Sequence, residues 1–252
     1  MNRKLIVLDI DNTITKNDGT ISKRTIESIK RIKDAGNIVV LATSRPRYQA
    51  LEYMNKCRTN EIVISSNGAE IYDCSADKII YSSYMDKDEV DKLINYSYEY
   101  DTRMIFTAAD FDYVTKVVKN DNQKILNKNN FNNKIKQCMV MGENTNKIKK
   151  QVSKLSKCYI VDEGYFDKIK WFSIINKDTS KGVALRELAR YLNISIENTI
   201  AIGNDLNDIS MLKEAGYSVV VDNAIEELKK MVDYVTSSNE DDGVAKFLET
   251  LQ

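Results

Sequence analysis

Asp9 and Asp11 stand two positions apart at the end of an apolar run, in the stretch LIVLDIDNTIT. Alternate residues of an extended chain share a face, so the pattern sets two carboxylates side by side, where they repel each other and lose hydration. A divalent cation held by oxygen ligands relieves both costs, and Mg2+ suits carboxylates combined with waters and a substrate phosphate. The plainer reading of Asp9 alone is an Asx-turn or a cap. A second polar loop weakens it. GNDLNDISML places Asn204, Asp205, Asn207 and Asp208 directly after the apolar TIAI. One such residue suffices to cap the next helix; the others are better explained as a second contribution to a metal site.

Elements must carry these residues to one place. Residues 4–10 read as a buried strand. Ser22 predicts the N-cap of a helix whose Ile26, Ile29 and Ile32 share a face, with Gly36 just past its end. NIVVLAT (37–43) reads as a second strand, Pro46 opens another helix, and EIVISSNG (61–68) contains a third strand. Strands alternating with amphipathic helices predict an α/β fold, a parallel sheet covered by helices on both faces. In such a sheet ligands bind beyond the carboxyl ends of the strands, which is where Asp9, Thr43 and the Asn204–Asp208 loop each fall.

After residue 80 the texture changes. EVDKLINYSYEY reads as helix, RMIFTA and DYVTKVV as paired strands, and IKQCMVMG as a further strand. KNDNQKILNKNNFNNKIK reads as exposed helix and loop, and residues 157–176 as a hairpin. A helix near Lys181, the strand-then-polar-loop stretch NTIAIGNDLND (198–208) and the strand YSVVVDNA restore the first pattern. The division is 1–82, an inserted α+β module at 83–177, and 178–252.

Composition removes whole classes of chemistry. The 252 residues include no histidine, which excludes Ser-His-Asp and Cys-His catalysis and histidine zinc sites. Lys+Arg and Asp+Glu both number 37, which argues against a chain-wide nucleic-acid surface. Cys57, Cys74, Cys138 and Cys158 form no Cys-x-x-Cys pair, so a disulfide framework is not expected and a reducing cytoplasm is. The short apolar start, broken by Asp9 and Asp11, does not read as a signal peptide, and no segment reads as a membrane span.

DIDNT, ATSRP, SSNGAEIY, SKG and GNDLNDISML, in this order, resemble the signature set of the haloacid dehalogenase (HAD) superfamily, and more narrowly its Cof-type phosphatases of subfamily IIB. The resemblance spans both ends of the chain, and the inserted module occupies the place of that family's cap domain. It implies a Rossmann-like core and a Mg2+-dependent hydrolase of small phosphomonoesters, sugar phosphates foremost. By motif, Asp9 is implied as the nucleophile that becomes an aspartyl-phosphate, and Asp11 as the acid that protonates the leaving alcohol and then activates water. Thr43, by hydroxyl and backbone N–H, and Lys181 match the phosphoryl-binding positions, and Thr13 is implied to position the first loop.

The implied metal ligands are Asp9, the Asp11 carbonyl, and either Asn204 or Asp205. The family usually has Asp directly after the loop glycine, where this chain has Asn204. Asp208 is implied as a supporting carboxylate or a ligand through water, and Asn207 as a phosphate contact. Ser44 and Asn12 stand where glycine is commoner, and Asn tolerates a left-handed backbone. Arg45 and Asn67 lie beside these motifs, within reach of a phosphate or sugar hydroxyl, as does Ser44.

In the inserted module, VDEGYFDKIKW is the expected cap edge, with Trp171 and Tyr165 either stacking on substrate or packing. The expected partner is a small phosphorylated metabolite, without nucleic acid or membrane, and the expected state is a monomer or weak homodimer. Three other readings compete. A phosphomutase or phosphotransferase would use the same aspartyl-phosphate. A phospho-sensor like a receiver domain would need neither a cap nor Asp11. A non-hydrolytic binding protein is favoured by Asn204.

Overall fold

A computed structural model describes residues 3–108, 111–115, 124–125, 134–166 and 168–251. The chain folds into two compact units, 1–81 with 180–252, and 82–179. The first unit opens with β1 (Leu5–Leu8), α1 (Lys23–Asp34), β2 (Ile38–Ala42), α2 (Arg47–Cys57), β3 (Ile62–Ser65), β4 (Glu70–Asp73) and β5 (Lys78–Ser82). The second unit supplies α3 (Lys87–Glu99), β6 (Arg103–Thr107), β7 (Asp112–Val114), β8 (Lys124–Ile125), β9 (Gln137–Met141), α4 (Thr145–Val152), β10 (Cys158–Phe166) and β11 (Ile169–Asn176). The first unit resumes with α5 (Lys181–Tyr191), β12 (Thr199–Gly203), α6 (Ile209–Glu214), β13 (Tyr217–Val220), α7 (Glu226–Lys229), β14 (Tyr234–Val235) and α8 (Gly243–Glu249).

The sheet of the first unit runs β14-β13-β12-β1-β2-β3-β4-β5. Pairing is parallel from β14 to β3, and β4 turns back antiparallel on β3. Its central strands are apolar at every position because helices cover both faces. Ile6, Leu8, Val39 and Leu41 pack with Ile29 and Ile32 of α1, Ala50 and Met54 of α2, and Phe247 of α8. Leu5, Val7, Ile38 and Val40 face Leu185 and Leu188 of α5, Met211 of α6 and Leu228 of α7. The sequence-level caps hold. The Ser22 hydroxyl accepts the Thr25 N–H at 3.0 Å, Pro46 precedes α2, and Gly36 has φ of +91°.

One expectation changes. β1 ends at Leu8, before the aspartates, and Ile10–Ile14 form a tight π-type turn closed by Thr15 N–H donating to the Ile10 carbonyl at 3.1 Å. Asn12 takes the left-handed conformation there, φ +56°, so Asp9 and Asp11 are not neighbours on one strand face. The turn sends one side chain into the core and leaves the other half-exposed.

The second unit is a six-stranded sheet, β10-β11-β9-β6-β7-β8, antiparallel except between β7 and β8. Val90, Leu93 and Ile94 of α3 and Ile148 and Val152 of α4 pack with Met104, Phe106, Val140 and Phe172. Its helix α4 was not anticipated, because its Asn- and Lys-rich sequence carries only Ile148 and Val152 as apolar anchors. Most of the Asn/Lys-rich stretch, and the end of DYVTKVV, lie outside the described residues. Among the described residues no helix is long and apolar enough to cross a membrane.

Candidate active site

The parallel strands β12, β1, β2 and β3 lie side by side, so the loops at their carboxyl ends meet at one edge. Asp9 continues the pairing one residue beyond β1, its N–H donating to the Ile202 carbonyl at 2.9 Å. The residue is 5% exposed. Lys181, the first residue of α5, donates from Nζ to Asp9 Oδ1 and to Asp208 Oδ1, each at 2.7 Å. Ser180 caps that helix by accepting the Val183 N–H at 3.1 Å. Asp9 Oδ2 takes no hydrogen bond from the described residues.

Asp208 is fully buried, and its Oδ2 accepts the N–H groups of Asn204 and Asp205 at 2.9 and 3.1 Å. Its carboxylate crowds Gly203, where a Cβ would lie 2.5 Å from Asp208 Cγ. Both Asp208 oxygens are thus engaged, one by Lys181 and the other by its own loop.

Two carboxylates therefore share one buried ammonium. Burial, then the Asp208 charge, push the Asp9 carboxyl up to about 7 against the pull of Lys181. Burial disfavours the Lys181 ammonium, but Asp208 and Asp9 outweigh it and hold its pKa above the ordinary value. The cluster carries one more acid than base.

Asp11 is held differently. Arg45 donates from Nε to Asp11 Oδ2 at 2.9 Å and from Nη2 to Oδ1 at 2.7 Å, a two-toothed fork. The guanidinium also donates to Gln49 Oε1 at 3.1 Å and lies 4.9 Å from the Tyr53 ring centre. Ser44 is half-buried between Thr43 and Arg45. Thr43 is buried, and its hydroxyl accepts the Arg45 N–H at 3.1 Å. The expectation that the Thr43 backbone N–H binds phosphate is overturned. That group donates to the Ile64 carbonyl at 3.0 Å, because β2–β3 pairing runs one residue past β2.

Ser66, Asn67 and Gly68 all have positive φ, and a Cβ on Gly68 would lie 2.2 Å from the Ser180 carbonyl oxygen. This bend packs the β3 loop against the start of α5. Asn67 is buried, its Oδ1 accepting from Asn207 Nδ2 at 3.2 Å, which ties the β3 loop to the β12 loop. Asn204 Oδ1 accepts the Thr13 hydroxyl at 2.8 Å, joining the β12 loop to the first. Asp205 is exposed and accepts its neighbour Leu206's N–H at 2.7 Å.

A divalent cation fits this edge. The unengaged oxygen of Asp9, the Asp11 carbonyl and the Asn204 amide oxygen are hard donors of the kind Mg2+ takes along with water. The excess acid beside Lys181 is the charge such an ion offsets. Among the described residues no three Asp, Glu or Cys side chains converge, so a cation here relies on neutral oxygens and solvent for most of its shell.

The sequence missed the Arg45–Asp11 fork and the Thr13–Asn204 bond, which join residues remote along the chain. In the second unit, a Cβ on Gly164 would lie 3.1 Å from the Trp171 ring, so this tryptophan packs across its own hairpin. The Tyr165 side chain lies outside the described residues.

Comparison with known proteins bears on this arrangement. The family model for haloacid dehalogenase-like hydrolases matches residues 6–248. The chain is 28% identical to a Bacillus subtilis 5-amino-6-(5-phospho-D-ribitylamino)uracil phosphatase, YitU, across 97% of this chain and 96% of that one. It is 29% identical to a phosphoglycolate phosphatase of Methanobrevibacter smithii across 99% of this chain and 98% of that one. The HAD subclass IIB sugar phosphatase BT4131 has the same fold, with a TM-score of 0.85 at 23% identity and 98% of both chains covered. The chain belongs to the haloacid dehalogenase-like hydrolases, and both relatives named here, matched along nearly its whole length, are phosphatases.

Proposed function

We propose that this phosphoric monoester hydrolase is Mg2+-dependent, acts on small phosphomonoesters of the sugar-phosphate class, and works through an aspartyl-phosphate on Asp9. The observation that carries the reading is the buried Asp9–Lys181–Asp208 cluster, which leaves Asp9 one unengaged oxygen. Asp208 anchors Lys181, and Lys181 fixes the Asp9 carboxylate through Oδ1.

Asp9, the Asp11 carbonyl and Asn204 would hold Mg2+, which would supply the positive charge that allows a carboxylate to approach a phosphoryl dianion. Lys181 and the Thr43 hydroxyl hold phosphoryl oxygens, aided by Asn207 beside Asn67. Asp11 gives its proton to the departing alkoxide and later takes one from the attacking water, an exchange for which the Arg45 fork on its two oxygens has to open. With no histidine in the chain, a carboxylate is the fitting group for that exchange. The unit 82–179 stands in the chain where the family's cap domain does and is assigned the choice of alcohol.

Phosphate release from a panel of sugar phosphates, with Mg2+ or with EDTA, tests the proposal. Release should require the metal, and Asp9→Asn should abolish it. Full turnover by Asp9→Asn would remove the nucleophile and the reading with it.

A further inference from the structure

The turn that carries Asp11 has Asn12 in the left-handed region, which asparagine tolerates, and its surroundings fix how the turn lies. Those surroundings are two loops from the far end of the chain. The Asn12 carbonyl accepts from Asn223 Nδ2 at 2.8 Å, beyond β13. Asn223 Oδ1 in turn accepts the backbone N–H of Asn239 at 2.8 Å, beyond β14. Asn239 is 5% exposed, and its Nδ2 donates to the Thr15 carbonyl at 3.0 Å and to Asn17 Oδ1 at 3.1 Å. Two side-chain amides thereby hold the Ile10–Ile14 turn at its middle and just past its end.

We propose that Asn239 and Asn223 are positioning residues for the reaction: their amide relay sets where Asp11 stands relative to Asp9. The inference rests on the function proposed above. Neither amide reaches the Asp9–Lys181 cluster. Asp9 is fixed separately, through Ile202 and Lys181, so loss of the relay displaces the acid and spares the nucleophile. A displacement near 1 Å in such a group costs up to about a hundredfold in rate.

The test compares two substrates with Mg2+ present. p-Nitrophenyl phosphate has a leaving group that departs without a proton. The sugar phosphate turned over fastest in the panel has an alkoxide that needs one. Asn239→Ala and Asn223→Ala should each lower kcat on the sugar phosphate about tenfold or more, with KM held within about twofold. The loss in the rate of the p-nitrophenol burst, which reports phosphorylation of the enzyme alone, should be about fivefold smaller. Asn223 is exposed, so Asn223→Ala decides the matter if the buried Asn239→Ala does not fold. Equal losses in that burst and in kcat on the sugar phosphate, or none in either, overturn the relay. A wild-type chain that releases phosphate from neither compound defeats the proposed function instead.

Discussion

Arg45 spans both carboxylate oxygens of Asp11, with Nε on one at 2.9 Å and Nη2 on the other at 2.7 Å. Asp11's side chain is 44% exposed and Arg45's 31%, so solvent screens the pair and its worth to folding is below about 1 kcal/mol. Its consequence is orientation. Arg45→Ala should leave the melting temperature nearly unchanged while lowering kcat on a sugar phosphate about tenfold. Arg45→Lys, a point charge that cannot bridge two oxygens, should restore only part of the loss. Steady-state kinetics beside thermal melts check this, and unaltered kcat in Arg45→Ala would contradict it.

Lys181 lies between two buried carboxylates. Removing it leaves both without a counter-charge, and breaking a buried pair in this way costs about 3–5 kcal/mol. Lys181→Ala should therefore be both inactive and less stable, by chemical denaturation, than Asp9→Asn. The latter removes a charge rather than stranding one.

The Asp9 carboxyl is raised from 3.8 to about 7, chiefly by burial and then by Asp208. A group raised in the folded state binds its proton more tightly there. The stability it contributes is complete below 3.8 and is lost as pH rises through about 7. In EDTA, wild-type protein should lose melting temperature across that window more steeply than Asp9→Asn. A cation beside Asp9 favours the ionised form, so Mg2+ should flatten the wild-type curve. Identical pH profiles for the two proteins in EDTA would refute the assignment.

Asn204 faces the first loop through its amide oxygen, whereas Asp205 is exposed and occupied with the Leu206 N–H. Asn204→Asp adds a charged oxygen where the cation is placed and should tighten Mg2+, read as a lower concentration for half-maximal activity. Asp205→Asn should leave that concentration unchanged. The reverse pattern would make Asp205 the ligand.

Gly68 has φ of +92°, and a methyl there would meet the Ser180 carbonyl oxygen at 2.2 Å. Gly68→Ala must shift either the β3 loop or the start of α5, which carries Lys181. Both stability and kcat should fall, whereas Gly19→Ala, with open space around it, should reduce stability without comparable loss of kcat. Melting curves and phosphate release measure the contrast.

Local sequence accounts for much of the scaffold. The apolar runs at Leu5–Leu8, Ile38–Ala42, Ile62–Ser65 and Thr199–Gly203 declare buried strands by having no polar face. Ser22, Pro46 and Ser180 mark helix starts because each acts on backbone groups within four residues of itself. Asp9, Thr43 and Asn204–Asp208 are legible as candidate site residues because polar groups at the ends of such strands have little packing work to do. The tight turn after Leu8 was not legible, since a run of extended apolar residues looks the same whether or not it bends at its end.

What the sequence determined by itself is therefore which residues stand at the strand ends and which chemistry they support. The tertiary structure alone decided their partners: Arg45 on Asp11, Asp208 on Lys181, Ile64 on the Thr43 N–H, and Asn239 behind the first turn. Periodicity and capping act over a few residues, whereas these bonds depend on the order and register in which distant strands pair. That order is set by the packing of the whole sheet between its helices, and no single stretch of the chain contains it.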